Sequence, residues 1–472
     1  MKYRQVIFAL IVLMSLVGHA QDINRKSYSL DECISIALEN NLDLKSANLR
    51  ANSTKINHQQ SKANLLPSVN GDFNIGVNDG RSIDPFTNDF INQELTFSNA
   101  RLNLDAIIFN GFRLINTVRQ ERLNRQASEQ ETDEAKQNLI LEVTLAYLQV
   151  LNNRDVLELA KKRLDVTNNQ LQRQEEIYRE EVGNPADYTD IKAQKTLDET
   201  NILNLESALN NSKLNLRRLL NLDENIYIET IDLLINFERY ELSSEDVFND
   251  ALNSLATIKA KETRVEAAKK GISIAKAQFT PQISAFAGLN TNYSSLAETF
   301  SATGSNIIET GDFVTINNQD TPVLREQTVF NSNKISYKDQ FDNNLSTVVG
   351  VSVNLPLFNG FRAKNNVALE KIKFEESLIE LDRTRQEIKN TIDQVYFDMN
   401  ASYMRYQSLV KQVEAFNESY RINEVRFNNG VSNFLAYITS KNNFDNAKTN
   451  LANAKYEYLL LVKILEYYRG NF

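Results

Sequence analysis

Hydrophobic and polar residues along the chain keep two periods, and the period changes at a pentapeptide that occurs twice. Ala100, Leu102, Leu104 and Ala106 alternate with Arg101, Asn103 and Asp105, the period of two expected of a strand. Phe109-Asn110-Gly111-Phe112-Arg113 follows. Beyond it Val143, Val150, Leu157, Leu164, Leu171 and Tyr178 recur every seven residues, as on a coiled-coil helix. The pentapeptide returns 249 residues later as Phe358-Asn359-Gly360-Phe361-Arg362. Before this copy Leu345, Thr347, Val349, Val351, Val353 and Leu355 alternate with mostly small or polar residues. After it Ile392, Met399, Tyr406, Val413, Tyr420 and Phe427 fall at sevens. A single Asn-Gly pair more often marks a hairpin turn. Two matched strand-to-long-helix junctions predict an internal duplication.

The rest of the chain has paired features as well. Ser29-Leu30-Asp31-Glu32 is a capping box opening a helix, and Ser243-Ser244-Glu245-Asp246 is its counterpart. Longer helices are expected over about 42–66 and 255–280, ended by Pro67 and Pro281. Each proline starts a strand, where its missing N–H is tolerated. After Pro67, Val69, Phe73, Ile75 and Val77 point one way, and Ser68, Asn70, Asp72, Asn74 and Asn78 the other. After Pro281, Ile283, Ala285, Ala287, Leu289 and Tyr293 oppose Gln282, Ser284, Asn290 and Asn292. Strands of ~10 residues with one apolar and one small, uncharged polar face have the character of transmembrane barrel strands. The expected lipid face comprises Val69, Phe73, Ile75, Leu102, Leu104, Val349, Val351 and Val353. Trp is absent, so an interfacial belt must come from residues such as Phe73, Phe109, Tyr293 and Phe358. Polar loops are expected between the strands of each pair, over about 80–95 and 294–343.

From Leu114 to about Glu181 there is no proline or glycine. The chain then turns at Val182-Gly183-Asn184-Pro185 and returns through Leu205, Leu209, Ser212, Leu216 and Leu219. The second turn is Asn428-Asn429-Gly430-Val431-Ser432-Asn433, with a return through Phe444, Ala447, Leu451, Ala454, Tyr458 and Leu461. Spacings of three and four on both arms predict an antiparallel helical hairpin in each half. The segment 221–241 is mixed and reads as a side layer. The domain organisation is therefore a first repeat over 21–241 and a second over 242–472. Ahead of them, Lys2 and Arg4, the apolar run Val6 to Val17 and Gly18-His19-Ala20 read as a signal peptide over 1–20.

Composition narrows the function. The chain of 472 residues has a formal charge of −9 with both signs mixed, which argues against a nucleic-acid partner. Two His (His19, His58) and one Cys (Cys33) nearly exclude a transition-metal cage or a disulfide framework. Cys33 reads as a small buried side chain. No catalytic triad, Cys-His pair, His-Glu-x-x-His or phosphate loop is present, so neither catalytic residues nor a cofactor are expected. The acidic run Glu129 to Glu134 reads as solvated helix surface. Function then lies in shape, assembly and pore chemistry.

Both strand-Phe-Asn-Gly-Phe junctions, both Pro-initiated strands, the capping-box helices and the two hairpin turns resemble the TolC-type outer-membrane efflux proteins over nearly the whole mature chain. The resemblance implies a mainly α protein with a transmembrane β part. Long coiled-coil hairpins and four β-strands per chain would form a trimeric 12-stranded barrel continued by a helical tube. Val182, Gly183, Asn184 and Pro185 resemble the family's first periplasmic tip, and Gly430, Val431, Ser432 and Asn433 its second. In the family such tips meet a periplasmic membrane-fusion adaptor linked to an inner-membrane pump of the RND or ABC type. Some members carry aspartates after the second tip. Here the matching positions are Ala436 and Thr439, leaving Asp187 and Asp190 as the candidates for an acidic aperture. The implied function is a passive duct in the outer membrane of a Gram-negative bacterium, for efflux or type I secretion of a drug, a metal ion or a polypeptide. The rival reading is a periplasmic coiled-coil adaptor or scaffold, which needs no lipid-facing strands.

Overall fold

The structure, a computed structural model, describes residues 27–84, 88–182, 184–223, 227–228 and 237–471. The expected signal peptide, Gly183 and much of the mixed segment 221–241 lie outside the described residues. In chain order the elements are β1 (Ser27–Tyr28), α1 (Leu30–Asn40), α2 (Leu42–Ala63), β2 (Ser68–Asn78), β3 (Arg81–Ile83), β4 (Phe90–Asn92), β5 (Leu95–Phe109), α3 (Arg113–Arg179) and α4 (Pro185–Leu220). There follow β6 (Tyr227–Ile228), α5 (Ser244–Ser254), α6 (Ala256–Lys276), β7 (Gln282–Ser294), β8 (Glu298–Ile316), β9 (Gln319–Lys334), α7 (Tyr337–Asn343), β10 (Ser346–Asn354), α8 (Arg362–Asn428) and α9 (Phe434–Arg469). They divide into two units. One, mostly helical, contains residues up to Thr54, Asn124–Val265 and Glu376 onward; the other, built on strands, contains Lys55–Leu123 and Glu266–Glu375.

In the helical unit the capping boxes form as expected. Ser29 Oγ accepts the Glu32 N–H at 3.2 Å while the Ser29 N–H donates to Glu32 at 3.0 Å, and Ser243 and Asp246 repeat the exchange. Asn41 separates α1 from α2: its Oδ1 caps the new helix at Leu44, and its Nδ2 donates to the Leu219 carbonyl at 3.1 Å. The two long helices are 67 residues each, about 100 Å at 1.5 Å per residue, and each return helix is 36 residues. With no Gly or Pro inside them, nothing removes a ladder hydrogen bond.

The heptad positions are the core. Val143, Val150 and Leu157 are buried with Cys33, Ala37, Tyr147, Leu216 and Leu220. Ile392 and Met399 are buried with Val247, Ala251, Tyr458 and Leu465. Each Val, Leu, Ile or Met among them, removed from water, contributes roughly 1.5–3 kcal/mol. Cys33 lies within this packing, and burial pushes its thiol up to about 12, with the Glu32 charge adding to the shift. Further along the helices the stripe loosens: Leu164, Leu171, Val413 and Phe427 are half-buried and Tyr178 is exposed. Of the segment 221–241, Tyr227 and Ile228 pair in parallel with Ser27 and Tyr28, and Phe237 stacks on Tyr406 at 4.4 Å.

A charged network interrupts this apolar interior where α3, α4 and α9 meet. Asp198 is 3% exposed and accepts Thr167 Oγ1 at 2.7 Å and Gln194 Nε2 at 2.8 Å. Arg163 Nε lies 2.8 Å from Asp198 Oδ1 as an ion pair, although its N–H is not directed along the contact. The Arg163 Nη atoms donate to Asn442 and Asn446. Lys441, 2% exposed, donates to Thr167 at 3.3 Å and to Asp445 at 3.1 Å, and Asp445 also holds Lys448 at 3.0 Å. Burial holds the Lys441 ammonium below the ordinary lysine value, with Asp445 opposing the shift.

In the strand unit, β10, β7, β5 and β2 lie side by side in that order as one antiparallel sheet. These are the four expected strands, and Pro67 and Pro281 stand just before β2 and β7. The two expected loops prove to be structured instead. Residues 80–95 contain the short hairpin β3–β4. Residues 294–343 contain the long hairpin β8–β9 and the helix α7. The long hairpin turns at Asn317-Asn318, both left-handed (φ 50° and 71°), the pattern that a two-residue hairpin turn requires. Its Thr-, Ser- and Asn-rich strands bury no apolar face, so their composition reads as loop although their ladder is continuous enough to pair. At its base Gln340, 1% exposed, accepts the Ser294 N–H and donates to the Ser294 and Ile335 carbonyls, each at 2.9 Å.

The charged network yields an asymmetric expectation. Asp198→Ala leaves Arg163 without its buried carboxylate and should cost about 3–5 kcal/mol. Lys441→Met leaves Asp198 paired with Arg163 and Asp445 paired with Lys448. It should therefore be neutral or stabilising by up to about 1–4 kcal/mol. Since the folded state holds the Lys441 proton less tightly than the unfolded chain, stability from this group rises with pH between its lowered value and 10.5. Lys441→Met should lose that increment. Denaturant unfolding followed by circular dichroism across alkaline pH measures both effects.

Candidate functional site

The sheet register sorts the expected lipid-facing residues. Val69, Leu104, Ala287 and Val349 are directly opposed across the four strands and so share one face. Gly71, Leu102, Leu289 and Thr347 form the neighbouring row. Phe73 and Ile75 lie further along β2 on this face, as do Val351 and Val353 on β10. All eight expected residues are exposed, from Leu104 at 36% to Val349 at 78%. The opposite face carries Asn70, Asn103, Asp72, Arg101, Asn290 and Ser346 in the alternate rows. It also holds Phe286, whose ring fills the space over Gly350. Among the described strands β2 and β10 each pair on one side only, leaving two open edges. No described helix is long and apolar enough to cross a membrane.

The two pentapeptides share one backbone. Gly111 and Phe112 have φ of 66° and 61°, and Gly360 and Phe361 have φ of 64° and 61°. Two successive left-handed residues are the pattern of a type I′ turn, closed here by Arg113 N–H to Asn110 O at 3.2 Å and Arg362 N–H to Asn359 O at 3.4 Å. A turn ordinarily used between strands thus feeds a strand into a helix. Phe109 meets Phe112 edge-on at 5.5 Å, and Phe358 meets Phe361 likewise. The environments differ. A Cβ on Gly111 would sit 1.9 Å from Thr280 Oγ1, whereas one on Gly360 would meet nothing within 4 Å.

The helical turns are exposed. In the second, Gly430 (φ 71°) stops α8, and the Val431 N–H returns to the Arg426 carbonyl at 2.8 Å. Asn433 then caps α9 by accepting the Ala436 N–H at 2.9 Å. In the first, Asn184 accepts the Ala186 N–H at 3.1 Å and Pro185 takes the first helical position. The left-handed residue described here is Glu181 (φ 57°), a non-glycine that the sequence does not single out, while Gly183 lies outside the described residues. Val182, Val431 and Leu435 are exposed apolar side chains at these turns. Just inside them Ile191, Phe434 and Tyr437 are buried against Leu171, Tyr420, Phe427 and Ile438, which joins the two hairpins. Phe427 stacks on Tyr437 at 5.0 Å. Heptad spacing marked Tyr420 and Phe427; their partners Phe434 and Tyr437 lie on the return arm of the same hairpin, and Leu171 and Ile191 come from the other hairpin.

Asp187 is half-buried and Asp190 exposed beyond the first turn. Burial and the Asp190 charge hold the Asp187 carboxyl above the usual carboxylate range, against a hydrogen bond from Asn184. At the positions after the second turn, Ala436 is half-buried and Thr439 exposed. Among the described residues no group of three or more His, Cys, Asp or Glu is placed to hold a metal ion.

Comparison with known proteins points in one direction. The family model described as outer membrane efflux protein matches residues 33–222 and 247–466. The outer membrane protein TolC of Escherichia coli (strain K12) is 23% identical over 372 residues, 78% of this chain and 68% of TolC. Among solved structures, the chain is similar to CusC with a TM-score of 0.75 at 16% identity, covering 94% of this chain and 92% of that one. It is similar to the outer membrane protein VceC from Vibrio cholerae with a TM-score of 0.73 at 17% identity, covering 93% and 96%.

The junction geometry is testable at its two glycines. Gly360→Ala forces alanine into a left-handed conformation in open space and should cost about 1–2 kcal/mol. Gly111→Ala adds the collision with Thr280 and should cost about 1–3 kcal/mol more. Thr280→Ala in the Gly111→Ala background should remove most of that excess. Denaturant unfolding of the three variants checks the order.

Proposed function

The chain belongs to the outer membrane efflux protein family, and from that premise we propose that it is a passive exit duct in the outer membrane of a Gram-negative bacterium. The carrying observation is the four-stranded antiparallel sheet with one apolar exposed face, one polar face and two unpaired edges. Open edges are not tolerated in lipid, where each unpaired N–H or C=O costs several kcal/mol. Joining β10 of one copy to β2 of the next satisfies both edges, and the alternating strand directions make that pairing antiparallel. Three copies close a twelve-stranded barrel, with Val69, Phe73, Ile75, Leu102, Leu104, Val349, Val351 and Val353 toward lipid and the Asn- and Ser-rich face toward the lumen. The helical hairpins of the two repeats, 21–241 and 242–472, continue the duct into the periplasm, and residues 1–20 direct export.

The exposed turns Val182-Gly183-Asn184-Pro185 and Gly430-Val431-Ser432-Asn433 are assigned to a periplasmic adaptor that couples the duct to an inner-membrane pump. Asp187 and Asp190 are assigned to the aperture. No catalytic role is assigned to any residue; the work of export is done by the pump.

Two experiments test this reading. Val351→Lys places an ammonium on the lipid face and should cost about 2–4 kcal/mol near the bilayer midplane, lowering the yield of outer-membrane trimer. Ser352→Lys, toward the lumen, should leave that yield nearly unchanged. Equal tolerance of both would remove the barrel and leave the periplasmic scaffold. At the tips, Gly430→Trp should keep trimer abundance while abolishing cargo export, because an added Cβ at Gly430 meets nothing within 4 Å and its positive φ costs only about 1–2 kcal/mol, confined to the exposed turn. Parallel loss of trimer and export would make Gly430 a helix stop and nothing more.

A further inference from the structure

Beside the two junctions of the strand unit lies a cavity of about 350 Å³ whose lining includes Asn110, Arg113, Gln278, Thr280, Asn354 and Arg362, with no acidic side chain. Arg113 and Arg362 open the long helices α3 and α8, where cations are unfavourable to the helix dipole and free backbone N–H groups favour an anion. Neither guanidinium forms a salt bridge among the described residues. Arg362 Nε is taken by the Asn359 carbonyl at 3.1 Å. Independently, Asn110 is 7% exposed and its Nδ2 has no partner, while its Oδ1 accepts the Leu114 N–H at 3.3 Å. A buried donor without an acceptor costs about 1–3 kcal/mol, so an acceptor is missing here.

The cavity shares Gln278, Pro356 and Asn359 with an adjoining groove whose walls are apolar: Phe279, Leu357, Phe358 and Phe361, with Lys364 at its edge. Leu357 and Phe358 are exposed at 88% and 77%. A pocket of donors and two guanidiniums, continuous with an aromatic groove, is complementary to a molecule with an anionic oxygen head and a hydrocarbon tail.

We propose that this is a phospholipid site: the headgroup phosphate accepts from Asn110 Nδ2 and from the Arg113 and Arg362 guanidiniums, and an acyl chain lies along Phe279, Leu357 and Phe358. It rests on the outer-membrane reading above, in which the junctions lie at the periplasmic leaflet. Arg is suited to the head because its planar fork matches phosphate oxygens. The repeated Phe-Asn-Gly-Phe-Arg motif thereby gains a second role beyond turning the chain: the Asn and Arg of both copies line the head pocket, and Phe358 and Phe361 of the second copy line the tail groove.

Native mass spectrometry of the protein released from outer membranes and stripped of lipid tests the site. Dioleoyl phosphatidylglycerol should leave a retained adduct, and Arg113→Gln with Arg362→Gln should weaken its retention at least tenfold. Dioleoylglycerol, with the same chains and no phosphate, should bind weakly, as should inorganic phosphate alone. Should the double variant assemble poorly, Asn110→Asp keeps the helix cap, replaces the orphan donor with a negative charge, and should weaken retention similarly. Equal retention by parent and variants, or by dioleoylglycerol, overturns the site. Inorganic phosphate binding as tightly as the lipid overturns the lipid assignment. Absence of the protein from the outer-membrane fraction would overturn the localisation, separately from the lipid result.

Discussion

The unpaired backbone at the two edges of the sheet is the constraint on which the rest depends. β2 and β10 each present a row of N–H and C=O groups that no other described strand pairs. Water can satisfy such a row; hydrocarbon cannot. The face beside those edges carries Val69, Leu104, Val349 and Val351, apolar side chains that gain nothing from water. The two facts conflict in a monomer and agree in a closed ring of copies within lipid. In the proposed duct, symmetric closure follows from four strands being too few to form a barrel alone.

The junctions carry the change from one regime to the other. A strand satisfies its backbone through neighbours, and a helix satisfies its own. The passage takes three residues after β5 and seven after β10, and at both the last two before the helix, Gly111-Phe112 and Gly360-Phe361, are left-handed and turn the chain. Phenylalanine at positive φ is strained, and the edge-on contact with the preceding Phe is the compensation that the structure offers. The helices that leave these turns have Arg at their first positions, which the dipole disfavours. That local cost is consistent with a role for the guanidiniums outside the fold.

The helical unit is divided along its length by what fills it. Aliphatic side chains on α1 to α6, α8 and α9, with several tyrosines among them, make two clusters. Toward the turns the filling changes, first to the Asp198, Arg163 and Lys441 network and then to the Phe427, Phe434 and Tyr437 stack. Charges buried in this way add little net stability but penalise any shift of register, because a slipped helix would leave a carboxylate or an ammonium unpaired. Long coiled coils of uniform Leu and Val lack that restraint.

Much of the architecture was legible in the residues. The seven-residue repeats, the alternation after Pro67 and Pro281 and the Asn-Gly turns are local rules, set by backbone geometry and side-chain period within a few residues. They identified four strands, four hairpin arms and both junctions. Other features were not legible, and they share a cause. The β8–β9 hairpin read as loop because its strands bury nothing, so the hydrophobic signal on which strand detection relies is missing. Glu181 took the left-handed position although no local rule favours glutamate there. Asp198 and Lys441 share the Thr167 hydroxyl across 243 positions of sequence, and the separation between the Arg113 and Arg362 sides of one cavity is 249. Period and propensity act over one or two turns of chain. Which distant residues share a cavity is decided by the pairing of β5 and β10 through β7 and by the packing of separate helices, and only the tertiary structure sets those.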